Sequence, residues 1–209
     1  MALPISIAAT VVTVATAAAV AAAAPPPPDP PRSRGDGRAR AALLFILGVA
    51  LVLRLAHWWA VRRAPFFAQL VVDSDEYDRW ARQIAAGDWL GKEVFFQAPL
   101  YPYLLGALYT VCGRSLDAVY LTQIGCAVLG CYALYRAGRQ MDSERSGLAA
   151  AALAAVYGPF LFYDVQVLKE SLAVSVTCLL LWALAAARAR PGGWRWLAAG
   201  LCLGALALL

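Results

Sequence analysis

Charged side chains are scarce in this chain. Asp, Glu, Lys and Arg make up 15% of its 209 residues, whereas apolar residues make up 62%. Average globular proteins carry about 25% charged residues. The shortage therefore excludes a soluble globular domain and indicates an integral membrane protein. We predict an all-α fold, a polytopic bundle of transmembrane helices with an interfacial helix in its first external loop.

Several kinds of site are also missing. The basic residues are scattered at the ends of apolar runs, so the net charge of +5 does not indicate a nucleic-acid partner. No Walker-type or GxGxxG loop predicts nucleotide binding. The five cysteines lie in or beside apolar segments without CxxC spacing, which is typical of small buried residues. His57, the only histidine of the sequence, is predicted to be interfacial, not a metal ligand.

Residues 1–40 differ in composition from the rest of the chain. The Ala- and Val-rich tract at 5–24 has no basic residue before it, and a cleavable signal, an extra anchor and a mis-assigned translation start remain open. Residues 25–31 are rich in proline and are predicted to form an extended spacer. The arginines that follow mark the cytoplasmic side of the next span; they are Arg32, Arg34, Arg38 and Arg40. We divide the chain into this N-terminal segment and linker and a transmembrane domain at 41–209.

The first apolar segment, at 41–61, is predicted to run outward from these arginines. Arg54 lies inside it. A charge at mid-membrane costs about 2.5–3.5 kcal/mol on insertion scales, so Arg54 either snorkels to the interface or faces a protein-lined polar cavity. The further apolar segments are 99–112, 116–135, 147–162, 171–187 and 194–209.

Basic residues between these segments predict the topology. Arginines at 136–145 and 188–195 place both connections in the cytoplasm and leave 73–97 and 163–170 outside. The chain must then cross an odd number of times between 73 and 136, yet it has two apolar segments there. Either 99–112, short against the ~20 residues of a spanning helix, enters without crossing, or one loop violates the charge bias. We favour both acidic clusters on one side, because this arrangement builds one polar site.

A polar, aromatic stretch at 73–103 lies between the first two apolar segments. Ser74 is predicted to cap a helix over 74–86, with Asp75 and Glu76 in its first turn. Helical spacing puts an aromatic and aliphatic stripe on one face of this helix; its residues are Tyr77, Trp80, Ala81 and Ile84. Such a helix between spans is predicted to lie on the bilayer surface.

The motifs of this stretch resemble the first external loop of polyprenol-dependent membrane glycosyltransferases of the GT-C superfamily. The branch is the one that includes protein O-mannosyltransferases and aminoarabinose transferases. The pattern is Asp-x-x-x-Tyr-x-x-x-Ala, Gly-Asp-Trp and Ala-Pro-Leu-Tyr-Pro-Tyr; its positions are Asp73, Tyr77, Ala81, Gly87, Asp88, Trp89, Pro99, Tyr101 and Pro102. The segment 163–170 is similar to the family's second acidic element. The chain resembles an N-terminal fragment of such enzymes.

The resemblance implies an enzyme that moves a sugar from a polyprenyl-phosphate donor to a hydroxyl acceptor. The acceptor is a glycan, a lipid or a protein, and the expected location is the external or periplasmic face of the plasma (inner) membrane. Asp73 and Glu170 are the predicted catalytic residues, since transfer needs a carboxylate to deprotonate or orient the acceptor. The predicted substrate-binding residues are Tyr77, Asp75, Glu76, Tyr101, Lys169 and Arg54. Asp73 is the candidate ligand if a divalent metal ion is required.

A non-enzymatic polytopic protein, such as a transporter half or an assembly scaffold, is the alternative. A transporter favours broken helices and charges near mid-membrane. Most charges of this chain lie at the ends of apolar segments, with Arg54 the exception. This distribution favours the enzyme.

The topology can be tested with single cysteines on a Cys-free background and a membrane-impermeant thiol reagent. We expect labelling from outside at position 88 and none at positions 36 and 192, because the positive-inside rule places the arginine-flanked connections in the cytoplasm. Labelling at 36 and 192 with none at 88 would refute this arrangement. Labelling after membrane permeabilisation is the control for accessibility.

Overall fold

The computed structural model describes residues 36–65, 67, 69–89 and 97–209. Within these ranges the chain is helical with no strand, which confirms the all-α prediction. Several features predicted above lie outside the described residues. They are the Ala- and Val-rich tract, the proline spacer, and Arg32 and Arg34.

Eight helices form most of the described part of the chain. They are α1 (Asp36–Arg62), α2 (Asp73–Ala85), α3 (Leu100–Cys112), α4 (Leu116–Met141), α5 (Glu144–Val156), α6 (Gly158–Tyr163), α7 (Glu170–Ala189) and α8 (Gly193–Leu208). Among the described residues, α1 from Gly37, α4 and α7 are long and apolar enough to cross a membrane. The chain is therefore a multi-pass membrane protein.

The long helices pack side by side around α4. The α4–α5 hairpin is close: a Cβ added to Gly147 would lie 2.9 Å from the backbone nitrogen of Arg139. On its other side α4 approaches α7 near Gly130, where an added Cβ would lie 3.5 Å from the Cα of Ser175. Small residues let the backbones of membrane helices approach in this way. α1 packs against α4 and α5, and α8 packs against α7.

Both acidic regions lie at one end of this bundle, which we call the polar end. It contains the end of α1, the start of α4, the turn between α6 and α7, and the α2–α3 pair. Trp58 of α1 donates to Asp117 of α4 at 3.1 Å, and Gln123 of α4 donates to the backbone oxygen of Asp164 at 3.1 Å. These contacts join elements that are far apart in sequence.

α3 covers only the first turns of α4. Tyr101 in its first turn donates to Gln123 at 2.7 Å, and residues 113–115 connect its last turn directly to the start of α4. Both ends of α3 therefore lie toward the polar end. This geometry favours the alternative in which 99–112 enters the bilayer without crossing it, and that alternative stays a prediction.

Arginines gather at the opposite end, which we call the basic end. Arg38 of α1 and Arg145 of α5 line one cavity there, and Arg139 lies 4.0 Å from Glu144. Arg188 lies in the last turn of α7. The separation of acidic and basic ends follows the charge pattern from which the topology was predicted, and sidedness itself stays a prediction.

α2 differs from the prediction at its N-terminus. The helix begins at Asp73, its N-cap is Val72, and no side chain makes a capping hydrogen bond. Ser74 is buried inside the first turn, so the prediction that it caps the helix was wrong. Packing of this turn against the protein, not capping, fixes where the helix starts.

The apolar segment predicted at 147–162 is two helices. α5 ends at Val156, Tyr157 is extended with φ −69° and ψ 109°, and α6 starts at Gly158 with Pro159 in its first turn. Proline lacks the N–H that a continuing helix would need and clashes with the preceding turn. The carbonyl groups of Ala154 and Ala155, which this break leaves free, bind Arg54.

Gly106 is the point of closest approach between α2 and α3. A Cβ there would lie 2.6 Å from Cγ2 of Ile84 and 3.3 Å from the backbone oxygen of Ala81. We expect Gly106→Ala to destabilise the protein by about 1–3 kcal/mol through overpacking, measured as a lower unfolding midpoint in detergent. The matched control is Gly125→Ala, because a Cβ at Gly125 meets nothing within 4 Å. A Gly106→Ala midpoint equal to that of the control would contradict the packing.

Candidate active site

A buried ion pair lies at the centre of the polar end. Nε of Arg54 in α1 donates to Oδ2 of Asp164 at 2.7 Å, and the two side chains are 1% and 3% exposed. Ser171, in the first turn of α7, donates to the other carboxylate oxygen at 2.6 Å. Arg54 thus faces protein and not the interface, so snorkelling, one of the two alternatives for this residue, is excluded.

The break after α5 supplies two further partners of Arg54, and α1 itself supplies a third. Its Nη1 donates to the backbone oxygens of Ala50 and Ala155, each at 3.2 Å, and its Nη2 to that of Ala154 at 3.5 Å. In a continuous helix the N–H groups of residues 158 and 159 would bond these α5 carbonyls, but the chain bends at Tyr157 and Pro159 has no N–H. The helix end leaves carbonyls that attract a cation, and Arg54 satisfies them.

The α2–α3 pair contributes the second acidic group of the polar end. Asp73 is exposed at the start of α2, and Gln97 donates to its Oδ1 at 3.3 Å. Tyr77, one turn later, is buried with its ring edge-on to Tyr101 at 5.0 Å between centroids. Val72, directly before Asp73, has φ 52°, a strained conformation for a β-branched residue.

Tyr77 is under the electrostatic influence of both predicted catalytic carboxylates. Its pKa is raised to about 12 by burial first and then by the negative charges of Glu170 and Asp73. Asp73 and Glu170, which are far apart in sequence, are therefore both within electrostatic range of the Tyr77 hydroxyl.

Glu170 faces a cavity of about 360 Å³ between α4, α5 and α7. Its Oε2 is buried and has no hydrogen-bond partner among the described residues. The cavity also contacts Asp164 and Ser171, and it continues into an apolar region; the lining there includes Ala127, Leu134, Val174 and Leu181. A carboxylate with a free acceptor oxygen thus stands at the polar part of a largely apolar cavity.

The other predicted site residues are placed differently. Asp75 is exposed, and Glu76 pairs with Arg79 one turn along the same helix. Lys169, the N-cap residue of α7, is half-buried beside Glu170. Asp75 and Glu76 are not brought to the cavity, whereas Arg54 lines it with its guanidinium already bonded to protein.

Asp78 and Asp164 are polar groups that the sequence analysis did not single out. Asp78 is fully buried and accepts from Tyr109 at 2.7 Å and from Arg114 at 3.0 Å, so it joins α2 to α3 and to the start of α4. A signal for Asp164 was present: an arginine inside a span requires an acidic partner, and Asp164 lies in the segment already placed on the same side. No comparable signal marks Asp78.

Comparison with known proteins gives one result. The sequence profile of the dolichyl-phosphate-mannose-protein mannosyltransferase family matches residues 97–209, which is more than half of the 209 residues. The chain belongs to this family. No curated protein and no solved structure matches it significantly.

Family membership fixes the class of chemistry. Members are glycosyltransferases of the GT-C type, which use a lipid-linked sugar donor and are embedded in the membrane. The match covers α3 to α8 and therefore includes Tyr101, Asp164 and Glu170. It begins at Gln97 and leaves Asp73 and α2 outside the matched range.

Metal binding was left open by the sequence. Among the described residues, no group of three or more His, Cys, Asp or Glu side chains could hold a metal ion. Gln97 already donates to Asp73, and none of Asp73, Asp75 and Glu76 lines the cavity. We therefore derive no step through a metal, and the divalent ion stays a prediction.

The buried ion pair can be tested by its stability. Because removing one partner leaves an uncompensated buried charge, we expect Arg54→Met and Asp164→Leu each to cost about 3–5 kcal/mol in free energy of unfolding. The double variant should lose less than the sum. The control is Arg62→Gln at the exposed pair with Asp117, where the side chains are 45% and 32% exposed and the expected cost is below about 1 kcal/mol. If either single variant loses as little free energy of unfolding as this control, the Arg54–Asp164 pair does not stabilise the fold as a buried ion pair.

Proposed function

We propose that the chain contributes to the active site of a membrane glycosyltransferase that uses a polyprenyl-phosphate sugar donor. It transfers the sugar to a hydroxyl of a glycan, lipid or protein acceptor on the external or periplasmic side. The observation that carries the proposal is the buried Oε2 of Glu170, which has no hydrogen-bond partner among the described residues and stands at the polar part of a largely apolar cavity.

The cavity matches the two chemical parts of such a donor. A polyprenyl tail must stay in an apolar environment, while its phosphate and sugar need polar groups at the bilayer boundary. The lining of the cavity changes in the same way, from Glu170 and Ser171 to Val174 and Leu181 along α7. Lys169, adjacent to Glu170, is the proposed partner of the phosphate, since an ammonium group binds phosphate as a point charge.

Asp73 is the proposed catalytic carboxylate. It deprotonates or orients the acceptor hydroxyl as the sugar leaves the phosphate. Since α2 has no side-chain cap, a capping role does not account for Asp73, and its exposure leaves it accessible to an acceptor. Glu170 is the second acidic contact, with its free oxygen available to a sugar hydroxyl. Tyr77 and Tyr101 form the aromatic wall between them.

Arg54 has a different proposed role from direct substrate contact. Four hydrogen bonds to Asp164, Ala50, Ala155 and Ala154 occupy its guanidinium, so it supports the cavity wall that it lines. Asp75 and Glu76 are left as weaker substrate-binding candidates, because they face solvent. The non-enzymatic alternative is disfavoured by family membership.

The external location of this site rests on charge. The basic end carries the arginine clusters that favour the cytoplasm, whereas Arg62 and Arg114 at the polar end pair with Asp117 and Asp78. In a plasma (inner) membrane the polar end then faces the periplasm or the exterior, where the labelling experiment above tests it.

Asp73→Asn tests the catalytic assignment. The change removes the charge and keeps the shape, so we expect sugar transfer from polyprenyl phosphate by the full-length protein to fall on the order of 10²-fold or more. Expression and unfolding midpoint should stay at parental values. Membranes with matched protein amounts and labelled donor supply the measurement.

Asp75→Asn is the matched control, because Asp75 lies two residues further along α2 and is also exposed. It should retain near-parental transfer. If Asp73→Asn is active while Asp75→Asn or Glu76→Gln is inactive, the carboxylate is misassigned by two or three residues. Activity in all three variants would place the catalytic group elsewhere.

A further inference from the structure

Gln123 is a buried polar side chain in the third turn of α4, 2% exposed. Its Oε1 accepts from the hydroxyl of Tyr101 at 2.7 Å. Its Nε2 donates to the backbone oxygens of Asp164 at 3.1 Å and Gln166 at 2.8 Å. A buried amide is costly unless it is hydrogen-bonded, and here both of its halves are used.

The groups that Gln123 joins belong to the two parts of the site that carry the acids. Tyr101 packs edge-on against Tyr77, which lies one helical turn from Asp73. Asp164 and Gln166 begin the turn that leads into α7 at Glu170. Gln123 therefore links the α2–α3 pair to this turn by hydrogen bonds.

We propose that Gln123 is a positioning residue for glycosyl transfer, which holds the α2–α3 pair and the 164–170 turn at a fixed separation. The inference rests on the function proposed above, and it adds a residue that touches neither carboxylate. Gln123 acts through Tyr101 on one side and through the backbone of residues 164 and 166 on the other.

The chemistry of an amide explains why glutamine serves here. The position needs one acceptor for the hydroxyl of Tyr101 and two donors for backbone carbonyl groups. A primary amide supplies both at the end of one side chain. Glutamate would keep the acceptor and lose the donors. Methionine would keep the length and lose both.

Two sets of contacts hold the 164–170 turn, and both include Asp164. Arg54 and Ser171 bind the side chain of Asp164, whereas Gln123 binds its backbone and that of Gln166. The ion pair fixes where the turn sits in the bundle. The additional bond at Gln166 restrains the part of the turn that approaches Glu170.

The experiment measures geometry and rate separately in the full-length protein. Spin labels at positions 75 and 169, on α2 and at the start of α7, report the distance between the two parts by electron paramagnetic resonance. We expect a narrow distribution in the parent and a broader one in Gln123→Met. Transfer kcat should fall on the order of 10²-fold, because misplacement of about 1 Å has this effect, with KM for the donor little changed.

Two further variants keep the test decisive if Gln123→Met does not fold. Gln123→Glu removes the two donors and should broaden the distribution. Tyr101→Phe removes a single hydroxyl and should lower kcat less than Gln123→Met, with the double variant no worse than Gln123→Met alone, since both act through one contact. The control is Thr122→Val, because the Thr122 hydroxyl bonds only within α4, to Ala118 at 2.8 Å; it should change neither quantity.

The outcomes separate this inference from the proposed function. Distances unchanged in the Gln123 variants overturn the positioning role, whatever the rate. A rise in donor KM with kcat unchanged also overturns it, because that result indicates direct donor binding. A broadened distribution in a protein whose Asp73→Asn variant remains active supports positioning by Gln123 and overturns the catalytic assignment of Asp73.

Discussion

The buried pair of Arg54 and Asp164 is the interaction on which the polar end depends. It connects the first long helix to the turn before α7, and Arg54 also binds the carbonyls freed where α5 ends. A lone arginine in an apolar helix would be costly to insert. The break at Tyr157 and Pro159, the acidic turn and the arginine thus compensate one another, and removing any of them leaves a polar group unsatisfied.

Around this pair the polar groups differ in exposure. Gln123 and Ser171 are buried with the pair and bond to Asp164, whereas Glu170 is half-buried at the cavity with one unpartnered oxygen among the described contacts. Asp73 is outermost. The buried groups provide rigid support, because a hydrogen bond is strong in low dielectric. Asp73 provides an acid that a substrate can reach.

The position of the site also suits a lipid-linked substrate. α3 packs against α2 and the first turns of α4 at the polar end. The cavity opens between helices, with an apolar lining that a lipid tail requires and a polar part at the level of Glu170. A glycosyltransferase of this family needs both environments within one molecule, because its donor carries both.

The sequence by itself determined the helical membrane class, the spans at α1, α4 and α7, and the family. Composition and the length of an apolar run are local properties, so they can be read along the chain. Only the tertiary structure decided that Arg54 pairs with Asp164, that Ser74 is buried and not a cap, and that Gln123 joins Tyr101 to the turn before α7. These contacts link residues up to 110 positions apart, and helix packing sets which of many polar groups meet. Periodicity assigns a residue to a face of its own helix but carries no information about which face of another helix it meets.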